Sequence, residues 1–442
     1  MKETIIFITI VILIGLNSCS NPTSPPPAKE LPKAVKLKLV DVSCTEAFIN
    51  VIASDTLTVL PVNITLNKDA KVLFNFTLTK TDTTIIDTAL QAGKSYIYQT
   101  IAVIKGEEQK SDTLQVKTLD TTSHNFTWQT FTFGDPDAGS SEINDVAIIS
   151  ENNIWCVGEI NVIDSSENGY ITYNAVHWNG SKWELKTIMF PLCDGNGNQN
   201  GSGPFIANSV FAFSAEDIWI TCDVSLVHWD GQKFNPVCMP IGYGQRNLTK
   251  IWGLNKELYL IGTNGFIAHY QNEQWSKIES GTKSDIREIW GAIEPISGTL
   301  KILATESAIN NYNIITLTSS STKDTLNWPN NKSLSGIWLD GRRTYVGGTD
   351  IWINKNNSWQ QVTSTGYFFT RVKGTLCNNI YGIGPDGTVH FNGSIWQIIK
   401  PRPEGLVMVS GDCSNNVVIL VGFASSGGVV GKAAVLMGVQ VK

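Results

Sequence analysis

The 442-residue chain is poor in charge. Only 16% of its residues are Asp, Glu, Lys or Arg, and 33 basic against 39 acidic residues leave a net charge of −6. It has no basic stripe, which argues against nucleic acid as a partner, and no acidic run that would mark a disordered tail. Nowhere do apolar residues recur at helical spacing over a long stretch, so a helical bundle is excluded. Histidine and methionine are scarce, at five each. No His-Glu-x-x-His, Gly-x-Ser-x-Gly, phosphate-loop or Cys-x-x-Cys signature occurs. Glycine (38), tryptophan (14), Asn, Thr and Ser are plentiful instead. That balance suits an all-β extracellular protein, in which β-branched and aromatic residues fill strands and Gly, Asn and Asp make turns.

The one long apolar run lies at the N-terminus, "TIIFITIVILIGL" (Thr4–Leu16), followed by "NSCSNP". It is too short to span a bilayer comfortably, which takes about 20 residues, and it reads as a secretory signal. Leu16-Asn17-Ser18-Cys19 resembles a bacterial lipobox, although Asn17 departs from the small or apolar residue usual there. The resemblance implies that residues 1–18 are a signal peptide and that Cys19 carries lipid at the mature N-terminus. With about 0.8 kcal/mol for each buried CH₂, a multiply acylated cysteine is held firmly. The expected location is the cell envelope, lipid-anchored at the outer membrane or cell surface. Residues 19–33, "CSNPTSPPPAKELPK", read as an extended Pro-rich stalk.

Seven cysteines remain, at 44, 156, 193, 222, 238, 377 and 413. Their spacing fits no metal site, and buried free thiols packing as small hydrophobes are expected.

Residues 34–119 alternate apolar and polar residues in seven short runs separated by turn signals. This suits an immunoglobulin-like sandwich. Leu90, Gly93 and Tyr96 resemble the tyrosine corner of a fibronectin type III domain, although the usual early tryptophan is missing. The resemblance implies a spacer or adhesive module.

From Asn125 a different grammar recurs. First strands such as "NSVFAF", "LTKIWGL" and "LSGIWL" each lead to a second such as "DIWIT" or "NIYGIG". A third and fourth then follow, as in "GTVHFNGSIWQII". Repeats of about 40 residues with four short strands each are the mark of a β-propeller. Seven units fit in residues 123–442, the seventh lacking its Trp-bearing fourth strand. "NFTWQTFTF" (Asn125–Phe133) has that form and is expected to close the ring beside the C-terminal strands. The units resemble bacterial secreted propellers with a W-G…D-I-Y-x-V-G…H-Y-x-G-x-W repeat, and carry no nucleotide-sugar motif. The fold class expected is therefore all-β, an Ig/fibronectin III-like sandwich followed by a seven-bladed β-propeller.

His177, His228, His269 and His390 each precede an aromatic in a third strand. Equivalent positions spread around a ring cannot converge on a metal, so hydrogen bonding between neighbouring strands or blades is expected. Asp194, Asn196 and Asn198 alternate as calcium-loop ligands do, but Gln199 and Phe205 stand where that loop needs Gly and Glu. No metal and no cofactor is expected.

Long connections, at Gly134–Glu142, Glu159–Tyr173, Met189–Asn208, Met239–Asn247 and Phe423–Lys432, all fall on one face and in neighbouring units. Loops on a rigid scaffold usually carry function. Tyr170, Tyr173, Asp194, Tyr243 and Arg246 are the contact types there. No catalytic set is identifiable. The function expected is a membrane-anchored, monomeric binding module for a glycan or protein ligand. The alternative is a carbohydrate-active enzyme (hydrolase, lyase or transferase) with its site on the same face.

Overall fold

A computed structural model describes residues 33–54, 60–165, 169–194, 196–239, 247–308, 311–318, 322–326, 328, 333–355, 358–426 and 429–441. The signal peptide, Cys19, nearly all of the stalk, Tyr243 and Arg246 lie outside them. Among the described residues the protein is all-β apart from one 3₁₀ turn, Pro136–Ala138.

The N-terminal unit is two sheets face to face. One joins Val35–Val42, Ala47–Ala53 and Asp82–Asp87. The other runs Lys71–Leu78, Val62–Lys68, Ser95–Ile104 and Glu107–Lys110, with Leu114–Lys117 also paired to Ser95–Ile104. Alternate residues of both, among them Ile49, Val51, Ile64, Leu66 and Tyr98, meet in a dry core. Tyr96 Oη accepts a hydrogen bond from Gln91 N at 2.9 Å, beside buried Leu90 and the turn at Gly93 (φ 69°).

Residues 126–440 make seven four-stranded antiparallel sheets, and each of the first six comes from consecutive strands. The first strand of each sheet touches the first strand of the next, and Leu406–Cys413 of the seventh touches Glu142–Ser150 of the first. The contacts therefore close into a circle. Inner strands are buried on both faces, as in Asn379–Gly384, while outer strands such as Gln274–Lys277 are largely exposed. This gradient explains why the second strands read as near-continuous apolar runs and the fourth strands do not.

The seventh sheet joins both extremes of this segment. Phe126–Phe133 pairs antiparallel with Val429–Gln440 along its whole length, Trp128 opposite Gly438, as the sequence led one to expect. In four other sheets an aromatic of the fourth strand stands opposite an aromatic at or next to the end of the third: Trp178 with Trp183, Trp229 with Phe234, Tyr270 with Trp275, Phe391 with Trp396. Cross-strand aromatic pairs of this kind stabilise a sheet by roughly 0.2–1 kcal/mol each. The hairpins between them are set by Asx turns. Asp230 Oδ1, for example, accepts from Gln232 N and Lys233 N at 2.9 Å, ahead of Gly231 at φ 91°.

The two units share a polar seam. Glu46 accepts hydrogen bonds from both Arg343 and Lys355. Arg342 Nε donates to Asp41 at 2.8 Å, and its guanidinium lies 3.9 Å from the Phe48 ring centre. Asn378 Nδ2 donates to Asp120 O at 2.7 Å.

The expectation of free thiols needs one correction. Cys193 and Cys238 form a disulfide, with Cα atoms 5.5 Å apart, while Cys44, Cys156, Cys222, Cys377 and Cys413 are free. The pair lies 45 residues apart in sequence, and spacing alone cannot match such partners.

Candidate functional site

The site is built from a repeated irregularity. In the first strands of several sheets the ladder skips a residue: Asn144, Thr249, Arg287 and Val409, and in the fifth sheet Ser335 with Gly336. A skipped residue bends the strand and re-aims its side chain. Thr249, Arg287, Ser335 and Val409, joined by Thr370 and Arg371, line a cavity of about 340 Å³ at the axis of the circle. It opens on the face where the long connections lie.

Directly below, each first strand contributes one residue to a layer that is buried except at Arg371, which is part-buried and also lines the cavity: Asp145, Ser209, Lys250, Glu288, Gly336, Arg371 and Ser410. Lys250 Nζ donates to both oxygens of Asp145, at 2.7 and 2.6 Å. Ser209 Oγ, Ser410 Oγ and Val210 N donate to the same carboxylate. Burial would raise the Asp145 carboxyl, but the Lys250 and Arg371 charges and these hydrogen bonds outweigh it and hold it at about 2. Glu288 sits 2.9 Å from Arg371 Nε and 3.5 Å from Lys373 Nζ. Its oxygens are not aligned for hydrogen bonding with these partners, so the attraction there is that of proximity. One step further along the axis, Lys373 Nζ lies 4.3 Å from the Trp290 ring centre, and Asp412 accepts from Ile148 N at 3.0 Å. Burial lowers the lysine and raises the aspartate. Three acids thus face three bases across the axis, and Lys250, Lys373 and Asp412 line a small cavity of about 90 Å³ there.

From the axial mouth a cleft of about 900 Å³ runs outward between the fourth and fifth sheets, sharing Asp285, Arg287, Ser335 and Thr370 with it. Lys283, Ser307 and Tyr312 also line it. Arg287 and Lys283 are exposed cations. Asp285 Oδ1 accepts from Asn264 N at 3.2 Å. Sequence reasoning missed this cleft, because the turns around it are short and the skipped residue in each strand looks like an ordinary break in alternation.

The decorated sector lies elsewhere on the same face, in the first, second and seventh sheets. Most of what the sequence presents there as loop is strand. Ile160 to Ile163 pair with Tyr173 to Tyr170, extending the first sheet as a hairpin. Phe190–Cys193 and Gln199–Gly203 form a second hairpin, tied by the Cys193–Cys238 disulfide to the end of the second sheet. Ser425 and Ser426 pair with Val430 and Val429 in a third. Large apolar side chains stand exposed on the first two and their flanks, Ile163 at 55%, Met189 at 48%, Leu192 and Ile206 at 44%. Tyr170 is 43% exposed near the tip of the first hairpin, and Tyr173 packs at its base against the core. Asp194 is engaged by its own turn, accepting from Asn196 N, Asn198 N and Asn198 Nδ2 at 2.8–2.9 Å. Those hydrogen bonds, the Asn198 side chain's first, lower its carboxyl. Among the described residues no group of three His, Cys, Asp or Glu side chains is placed to hold a metal.

The histidines form a repeated brace within single sheets. His177, His228, His269 and His390 each lie 2.8–2.9 Å through Nε2 from Asn153, Asp217, Glu257 and Asn379, at the start of the neighbouring strand. Each ring also stacks on the aromatic two residues further on: Trp155, Trp219, Tyr259 and Tyr381. His390 meets a fifth, His124, at 3.0 Å between Nδ1 atoms.

No protein-family model and no curated protein matches this chain. Solved structures that match include the computationally designed Ika8 protein (10% identity, TM-score 0.45, 70% of this chain and 99% of that one). BBS1N in complex with ARL6DN matches at 9% identity and TM-score 0.45, over 72% of this chain and 98% of that one. Dihydro-heme d1 dehydrogenase NirN in complex with DHE matches at 9% identity and TM-score 0.35, over 94% and 76%. At these scores the architecture of this chain rests on its own strand pairing.

Proposed function

We propose that this chain is a lipid-anchored extracytoplasmic binding protein, in which a fibronectin type III-like spacer carries a seven-bladed β-propeller that presents a non-enzymatic site for a glycan or protein. The circular contacts of seven four-stranded sheets support the propeller. The sheet orders and the Tyr96–Gln91 hydrogen bond support the spacer. The Cys193–Cys238 disulfide favours an oxidising compartment, consistent with export and lipidation at Cys19.

One observation carries the binding reading: paired hairpins raised on a single face hold apolar side chains in water, and a disulfide fixes one of them. Exposed side chains such as Ile163, Leu192 and Ile206 gain most by being covered. The enzyme reading draws on the size of the cleft. Among its described lining residues, however, Asp285 is the single carboxylate, whereas glycoside hydrolysis ordinarily uses two.

The test is capture of glycans and envelope proteins by the mature chain, compared with variants whose two hairpins, 160–173 and 190–203, are shortened to tight turns. Affinity should fall at least tenfold in the double variant. An unchanged affinity would remove this face from consideration, and turnover of a bound glycan would favour the enzyme. Incorporation of labelled fatty acid, abolished by Cys19→Ser, tests the anchor.

A further inference from the structure

We infer that the cleft between the fourth and fifth sheets is a separate subsite for a carboxylate-bearing saccharide, with Arg287 gripping the carboxylate. This rests on the binding-module reading and adds a ligand class and a place distinct from the hairpins.

The argument begins at the bulge. Ile286 pairs with Glu306 and Glu288 with Thr305, which leaves Arg287 without a cross-strand partner. Its neighbours Ile286 and Glu288 are fully buried, while Arg287 is exposed. The strand is therefore anchored on both sides of a guanidinium aimed at the point where cleft and axial mouth meet. Among the described residues Arg287 makes no ion pair: Glu288 beneath it is matched by Arg371 and Lys373, and Asp285 faces the Asn264 amide. Lys283 adds a second exposed cation. The cleft lining thus holds two cations against one carboxylate, Asp285, in a chain whose net charge is −6.

The remaining wall suits a sugar better than a bare anion. Ser284, Ser307, Ser335 and Thr370 supply hydroxyls, and Tyr312 supplies an aromatic face. A volume of about 900 Å³ is at the upper end for small-molecule sites and far exceeds a phosphate or sulfate ion. A planar guanidinium matches a planar carboxylate with two parallel hydrogen bonds, which an ammonium cannot do.

The test is isothermal titration of the mature full chain with oligogalacturonate, alginate oligosaccharides and hyaluronan oligosaccharides, each beside its methyl ester. At least one acid should bind, and its ester should bind at least tenfold more weakly. Arg287→Ala should weaken the acid at least tenfold, and Arg287→Lys less, with unchanged melting temperature because the side chain is exposed. Tyr312→Ala should cost several-fold. The hairpin-shortened variant should bind the acid as well as the parent. Acid and ester binding alike, binding indifferent to Arg287→Ala, or no acid bound at all would each overturn the inference. If binding to another ligand then followed the hairpins alone, the proposed function would survive without this subsite.

Discussion

Lys250 reaches across the axis to Asp145, touching both carboxylate oxygens from a strand 105 residues away. Both side chains are almost fully buried, at 7% and 2% exposure. Removing one partner leaves the other charged and dry. Lys250→Met should therefore destabilise the ring by about 3–5 kcal/mol, whereas Lys250→Met with Asp145→Leu should recover much of that loss. Urea unfolding followed by tryptophan fluorescence measures both. A double variant as unstable as the sum of the singles would contradict the pairing.

The same carboxylate gives an acid limb. Its folded value of about 2 lies below the ordinary value of about 3.9. The stability it contributes is present above pH 4 and is lost as pH falls toward 2. Asp145→Asn should be less stable at neutral pH and show a shallower decline over that range. Unfolding midpoints taken from pH 5 to pH 2 decide it.

His390 acts in a higher window. Burial first, and then the neighbouring His124, hold its imidazole at about 3, against roughly 6.5 in an unfolded chain. Between those values the unfolded chain binds the extra proton, so the fold loses stability as pH drops from 6.5 toward 3. His390→Gln should flatten that slope. An NMR titration placing the His390 ring at its ordinary value would refute the assignment.

At the seam, burial would raise the Glu46 carboxyl, but Lys355 and Arg343 outweigh burial and lower it. Arg343→Ala should cost about 3 kcal/mol and let the sandwich swing on the 119–125 connection. Limited proteolysis there should accelerate, and small-angle scattering should broaden. A variant cleaved at the parental rate would show that the seam does not hold the units together.

The Cys193–Cys238 bridge closes a loop of 45 residues, worth about 2–4 kcal/mol. Cys193→Ser with Cys238→Ser should lower the melting temperature and speed amide exchange in Phe190–Cys193 and Gln199–Gly203, leaving the inner strands protected. Exchange rising evenly over all seven sheets would mean that the bridge has no local role.

Much of this was legible in the sequence, for a physical reason. Strand periodicity, the Asn/Asp-Gly turns and the His-aromatic pairs are local patterns, and Phe126–Phe133 could be placed because Trp128 repeats a fourth-strand mark. The features that decide the candidate site are not local. Arg287 is invisible as a site residue because one skipped position looks like noise in a period of two. Asp145, Lys250, Glu288 and Arg371 lie tens of residues apart, each an isolated charge in an apolar run. The hairpin carrying Tyr170 and Tyr173 was hidden by polar residues that read as loop. Met189–Asn208 looks in sequence like a long connection, although its strands pair with each other and Cys193 is pinned to Cys238.

The seventh sheet finally bears on how the molecule comes into being. Its outer strand, Phe126–Phe133, emerges first, and its partner, Val429–Gln440, emerges last. Among the described residues no ladder spans more sequence, so the circle cannot be completed until the whole of it is available. Six sheets can form as the chain is delivered, but each end of the stack keeps an open flank until the clasp is made. The chain is therefore most exposed to aggregation just before Val429–Gln440 becomes available to pair with Phe126–Phe133.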